Sequence, residues 1–183
     1  MAADEAIASW LGALTDGGVL SASAYAGRAV AVYVLGEETL RRLRSAFDKL
    51  TPEQAEDEKV AAIETCLWMA AADRFVAPEE RMLLVEMIAC AGLSPETKAA
   101  LEGEIGDQPS LADLELRLGT YELRELLLAM CWELAVADGR IDRMETGFYR
   151  GLAARLGVTP ERSESIRAAV QAELGGERNV QGA

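Results

Sequence analysis

No histidine occurs anywhere in the 183-residue chain. That removes Ser-His-Asp and Cys-His catalysis, His-ligated zinc, and the side chain most often used as a general base at neutral pH. Aromatic residues make up only 5% of the chain and proline occupies five positions. Four of those prolines, Pro52, Pro78, Pro95 and Pro160, stand where a helix can begin. The β-branched runs and closely spaced turns that a sandwich or barrel needs are missing. Cys66, Cys90 and Cys131 lie far apart within apolar helical patterns, with no CxxC pair. They read as buried, reduced thiols of a cytoplasmic protein, with a Cys66–Cys131 redox pair as the alternative.

Long uncharged apolar runs are scarce as well. The segment 17–36 is the one membrane candidate, but Arg28 sits in its middle and serines and tyrosines dilute it. A packed helix is the favoured reading over membrane association. Asp4 and Glu5 occupy the place where a signal peptide would carry Lys or Arg. Positive charge is in deficit: 18 basic residues face 31 acidic ones, for a net charge of −13. Thirteen of the acidic residues, against four basic ones, fall between Thr51 and Ser110. Such a domain repels phosphate backbones, so nucleic acid is not an expected partner. Cationic proteins or divalent ions suit it better, unless the charge only maintains solubility.

What the chain does have is small and aliphatic: half of it is apolar, enough for a core at this length. The expected fold is all-α, a helical bundle. Helices are predicted over about 4–14, 20–35 (ended by Gly36) and 37–50, with Leu40, Leu43, Phe47 and Leu50 on one face of the last. Arg41, Arg42 and Arg44 lie off that face. Thr51-Pro52-Glu53-Gln54 has the form of a capping box, and its helix runs to Asp73. Others follow over 78–92, from Pro95 to a break near Gly106, briefly after Ser110, and over 121–137, 143–156 and 160–174. The polar end of the chain should fray. This divides the chain into an N-terminal helical extension (1–50), a helical domain (51–176) and a flexible tail (177–183).

Shifted by 65 residues, the chain matches itself: the segment starting at Cys66 aligns without gaps to the one starting at Cys131. Cys66/Cys131, Ala70/Ala135, Ala72/Ala137, Asp73/Asp138, Glu80/Glu145, Ala89/Ala154, Gly92/Gly157, Pro95/Pro160 and Glu96/Glu161 are identical pairs. Each copy is a helix ending in small residues, an aspartate, a short turn with one apolar anchor (Val76 or Ile141), and a second helix. In the second copy Gly139 can supply a left-handed helix end, and Asp142 with Glu145 has capping-box spacing. Two pseudo-symmetric helix–turn–helix repeats are therefore expected, with extra N-terminal helices before them.

The doubled A-x-A-D-G-x-I-x-x-x-E pattern resembles the tellurite-resistance TerB-like domain, also found in DjlA-type co-chaperones and in membrane-associated proteins. The resemblance covers about Val60 to Leu174. It implies an all-helical domain with pseudo-two-fold symmetry and an acidic surface that binds divalent metal. It also implies a place in stress responses and protein complexes with no defined reaction. The motif falls on Asp73 and Glu80 in the first copy, and on Asp138, Gly139, Ile141 and Glu145 in the second. Arg74 replaces the family glycine and Ala77 stands where the second copy has Asp142, so the first copy is the weaker site.

The candidate metal ligands are thus Asp138, Asp142 and Glu145, with Asp73 and Glu80. Their oxygens suit a weakly held Ca²⁺, Mg²⁺ or Mn²⁺, although the loop is not an EF-hand. A reading without an ion is preferred to it: Glu80 and Glu145 cap helix starts, favoured by the helix dipole, and the aspartates accept backbone N–H bonds. The function expected is a divalent-metal-responsive binding or scaffold module in a bacterial stress-response or envelope-associated complex. The alternative is an ion-independent protein-interaction adaptor, peripheral to membrane through its N-terminal helices. An enzyme is not expected, because the paired carboxylates occur only inside a motif that capping explains.

Overall fold

The computed structural model describes residues 30–72, 76–136 and 143–180. These form eight helices and no strand: α1 (Val30–Phe47), α2 (Pro52–Ala70), α3 (Pro78–Cys90), α4 (Pro95–Gly103), α5 (Leu114–Arg117), α6 (Tyr121–Ala135), α7 (Arg143–Arg155) and α8 (Pro160–Val180). The all-α expectation holds.

The break expected at Gly36 lies inside α1, where this residue takes φ 77° and ψ 161°. Only glycine visits that region without strain, so the chain changes direction there. Beyond it, Leu43 and Phe47 are buried and Leu40 and Leu50 pack partly against the core. Arg41 and Arg42 project outward to Glu38 and Glu122. This helix packs on α6 and α8, so it joins the domain's own core.

Helix starts follow the local chemistry. Thr51 Oγ1 accepts from the Gln54 N–H at 3.3 Å, and Gln54 Oε1 accepts from the Thr51 N–H at 2.9 Å, which completes the predicted capping box. Ser94 and Thr159 cap α4 and α8 in the same way, through the Thr97 and Arg162 N–H groups at 3.1 and 3.2 Å. At its far end α8 runs on to Val180, beyond the expected stop near Leu174. Gly175 and Gly176 lower helix propensity by about 1 kcal/mol each yet lie within the helix.

The core is organised on α6. From Leu123 to Ala135 every residue except Arg124 is buried, and α1, α2, α7 and α8 all pack against this helix. Such a sequence shows little amphipathic contrast, as a helix covered on most sides should.

Several helix boundaries recur at a 65-residue spacing, without showing that the two units superpose around an axis. Ala70 and Ala135 end α2 and α6, Pro78–Cys90 and Arg143–Arg155 bound α3 and α7, and Pro95 and Pro160 open α4 and α8. Gly92 and Gly157 follow with φ 67° and 69°. The recurrence also extends upstream of Cys66, to a pair of cations. Lys59 Nζ donates to the Ala91 carbonyl at 3.0 Å, and Arg124 donates to the Leu156 carbonyl at 3.0 Å. Each cation therefore closes the C-terminal end of the second helix in its own copy, where the helix dipole favours positive charge.

Arg124 also donates to the Leu118 carbonyl at 2.6 Å and the Glu115 carbonyl at 3.1 Å. Arg124→Met leaves three carbonyls without this donor, and charge-assisted bonds contribute about 1.5–3 kcal/mol each before compensation by water. The expected loss in urea unfolding is about 2–4 kcal/mol, with Arg124→Lys falling between the variant and the native protein. A loss of only a few tenths would show that these bonds do not hold α7 in place.

Candidate functional site

The two motif turns are the candidate site, and α2 and α6 deliver them. Each of these helices ends in small buried residues, Ala70-Ala71 and Ala135-Val136. Asp73, Asp138, Asp142, Gly139 and Ile141 lie outside the described residues. Glu80 and Glu145 are described. Glu80 Oε2 accepts from the Ala77 N–H at 2.8 Å, the predicted capping contact. Alanine has no side-chain oxygen to return the bond, so the box in the first copy is half of a full one. Glu145 lies half-buried in the first turn of α7. Among the described residues, no three His, Cys, Asp or Glu side chains stand together as a metal-ion group.

Aromatic contacts tie the helices that carry the turns. Trp68, near the end of α2, meets Phe148 of α7 edge-on with ring centroids 5.2 Å apart. Trp132, near the end of α6, meets Tyr149 at 5.1 Å, and the Arg167 guanidinium lies 5.4 Å from its ring centroid. The Tyr149 hydroxyl donates to the Ser163 carbonyl at 2.9 Å, and burial raises its pKa far above the ordinary value. Neither ring contact falls at equivalent positions of the repeat, so the two copies share boundaries and differ in packing.

Below the turns, Cys66 and Cys131 are both fully buried and free of disulfide. The neighbouring Cys66 thiol together with burial pushes the Cys131 thiol well above its usual range. The matched cysteines thus lie side by side in the core, and the setting keeps the Cys131 thiol protonated. Glu58 of α2 is buried too. Its carboxylate accepts from the Thr120 N–H at 3.2 Å and from Thr120 Oγ1 at 3.1 Å. At Gly119 a side-chain Cβ would stand 3.2 Å from Glu58 Oε1, so glycine leaves the carboxylate room. Nothing in the sequence marked Glu58, Lys59 or Arg124. A wider window on the 65-residue shift would have paired the two cations.

This is an all-helical domain in which helix boundaries recur at a 65-residue spacing. The family model described as tellurite resistance protein TerB matches residues 59–168. That span is more than half of the chain, and the chain belongs to this family. No curated protein and no solved structure matches it. Among the described residues, no helix is long and apolar enough to cross a membrane. The segment 17–36 falls mostly outside them.

Two outcomes follow from these buried groups. Cys66 and Cys131 should react slowly with a thiol reagent in the folded protein and rapidly in urea. Rapid labelling of either before unfolding would sink the assignment of inert thiols. Burial is the largest influence on Glu58 and raises its carboxyl above the ordinary 4.5, against the opposing pull of Thr120, the Gly119 N–H and Arg124. The folded state therefore favours the protonated form. The associated stability is complete below the unfolded value and is lost as pH rises through the folded one. The stability of Glu58→Gln minus that of the native protein should therefore rise as pH increases above the ordinary 4.5. A flat or falling difference in urea midpoints would contradict this.

Proposed function

We propose that this chain is a cytoplasmic interaction module that holds a protein partner within a bacterial stress-response or envelope-associated complex. It performs no catalysis of its own, and its second motif turn takes a divalent cation weakly. The observation that supports the metal reading is the acidic spacing of the second copy, Asp138, Asp142 and Glu145 within eight residues. Oxygen ligands of this kind suit Ca²⁺, Mg²⁺ or Mn²⁺, and Glu145 stands half-buried in the first turn of α7. Family membership supports the binding role, and a chain without histidine supports the absence of catalysis.

A second reading, an ion-independent adaptor, is favoured by the contact of Glu80 with the Ala77 N–H. Glu80 acts as a helix cap there, and capping needs no ion.

Trp68 is a suitable reporter for separating the two readings, since it contacts Phe148, one helical turn after Glu145. Saturable change in tryptophan emission is expected when chelator-treated protein takes up Ca²⁺, Mg²⁺ or Mn²⁺, with a Kd on the order of 10⁻⁵ to 10⁻³ M. Asp138→Asn and Glu145→Gln should abolish it, while Glu102→Gln, an exposed position outside both turns, leaves it intact. Diffuse cation collection by an acidic surface would fade in about 0.15 M salt. An absent response, or one indifferent to the turn variants, leaves the ion-free adaptor.

A further inference from the structure

A groove of about 400 Å³ runs between α7 and α8. Ala153, Ala154, Val158 and Pro160 supply apolar lining, Ser163 lies at one side, and Arg150 and Glu164 also border it. The other copy of the repeat indicates what fits there. At the position matching Ser163 it carries Lys98, whose Nζ donates to the Ala89 carbonyl of α3 at 2.8 Å. Ala89 matches Ala154. The two junctions are held alike, by the carbonyl-capping cations Lys59 and Arg124, by Gly92 and Gly157 at positive φ, and by the Ser94 and Thr159 caps. A side chain at 163 therefore sets out from the place where Lys98 sets out. Serine is too short to cross, and its Oγ donates to the Pro160 carbonyl at 3.0 Å. The second copy thus leaves open the space that a lysine occupies in the first.

We infer that this groove takes a lysine side chain of a protein partner, seated as Lys98 is seated on α3. The methylene stem would lie over Ala153, Val158 and Pro160, and the ammonium would reach the Ala154 carbonyl in the last turn of α7. That carbonyl accepts one long bond, from the Gly157 N–H at 3.2 Å, and has a second lone pair. The negative end of the helix dipole adds to the attraction. Glu164 is shared between Arg150 at 3.0 Å and Arg167 at 2.7 Å, so the border is balanced and the carbonyl is the principal acceptor. A compact ammonium suits a single carbonyl better than the broad fork of arginine. The net charge of −13 favours a cationic partner, and an open groove suits a side chain presented on a larger surface. The groove shares no residue with the motif turns, so the inference stands or falls apart from the metal reading.

The test uses the full chain and its alanine and valine methyl resonances, titrated with Nα-acetyl-lysine N-methylamide at constant ionic strength. Saturable shifts are expected at Ala153, Ala154 and Val158, with the norleucine analogue weaker by about tenfold, or about 1.4 kcal/mol. Ser163→Lys supplies the lysine from within and should remove the response, whereas Ser163→Ala should retain it. Absence of saturation, an equal response to norleucine, or a response that survives Ser163→Lys overturns the inference. If Ser163→Lys does not fold, the comparison of lysine with norleucine on the native chain decides.

Discussion

Arg124 joins three stretches of backbone that have little else in common: the loop before α6, the short α5, and the far end of α7. A guanidinium can do this because its donors are fixed in a plane and it keeps its charge at any pH the protein meets. Lys59 makes the simpler version, one ammonium on the end of α3. Burial depresses the Lys59 pKa, and the nearby Glu56 carboxylate partly restores it. Both cations issue from the first helix of a copy and close its second. Each closure thus ties the start of one helix pair to the end of its second helix.

Burying α6 on several sides brings polar groups into the core, and each needs an accounting. Glu125 is met by Arg162 through two bonds of 2.8 Å, a paired geometry in which charge-assisted bonds are strongest. Arg117 binds Asp57 and Glu64, fastening α5 to α2. Breaking either pair from one side would leave a carboxylate with less compensation, which costs more than the intact pair contributes. The ion pairs therefore specify how the helices meet more than they add to stability.

Much of this was legible in the sequence because it is local. The capping box at Thr51, the helix end at Gly36 and the paired prolines at 95 and 160 announce themselves within four residues. The repeat announced the matching boundaries, and the family match follows from it. The closures by Lys59 and Arg124 were not legible in the same way, since each spans 32 residues and joins a side chain to a carbonyl that every residue possesses. Glu58 read as one more acid on an acidic helix, because only tertiary packing places Thr120 over it. At the site, the Glu80 cap was foreseen from its three-residue spacing. The meeting of Cys66 and Cys131 needed the crossing of α2 and α6, which no spacing along one helix encodes.

The location of the closures has a consequence for how such a chain can change. Lys59 and Ala91 belong to one copy, Arg124 and Leu156 to the other, so each copy supplies its own closure of the second helix, while the two share one core through α6 and the contact of Trp68 with Phe148. A substitution at one closure leaves the other closing cation in place. Lys98 reaches across one helix junction to the Ala89 carbonyl, whereas Ser163 at the matching position turns back to the Pro160 carbonyl: one closing frame, built twice, has been given two different fillings.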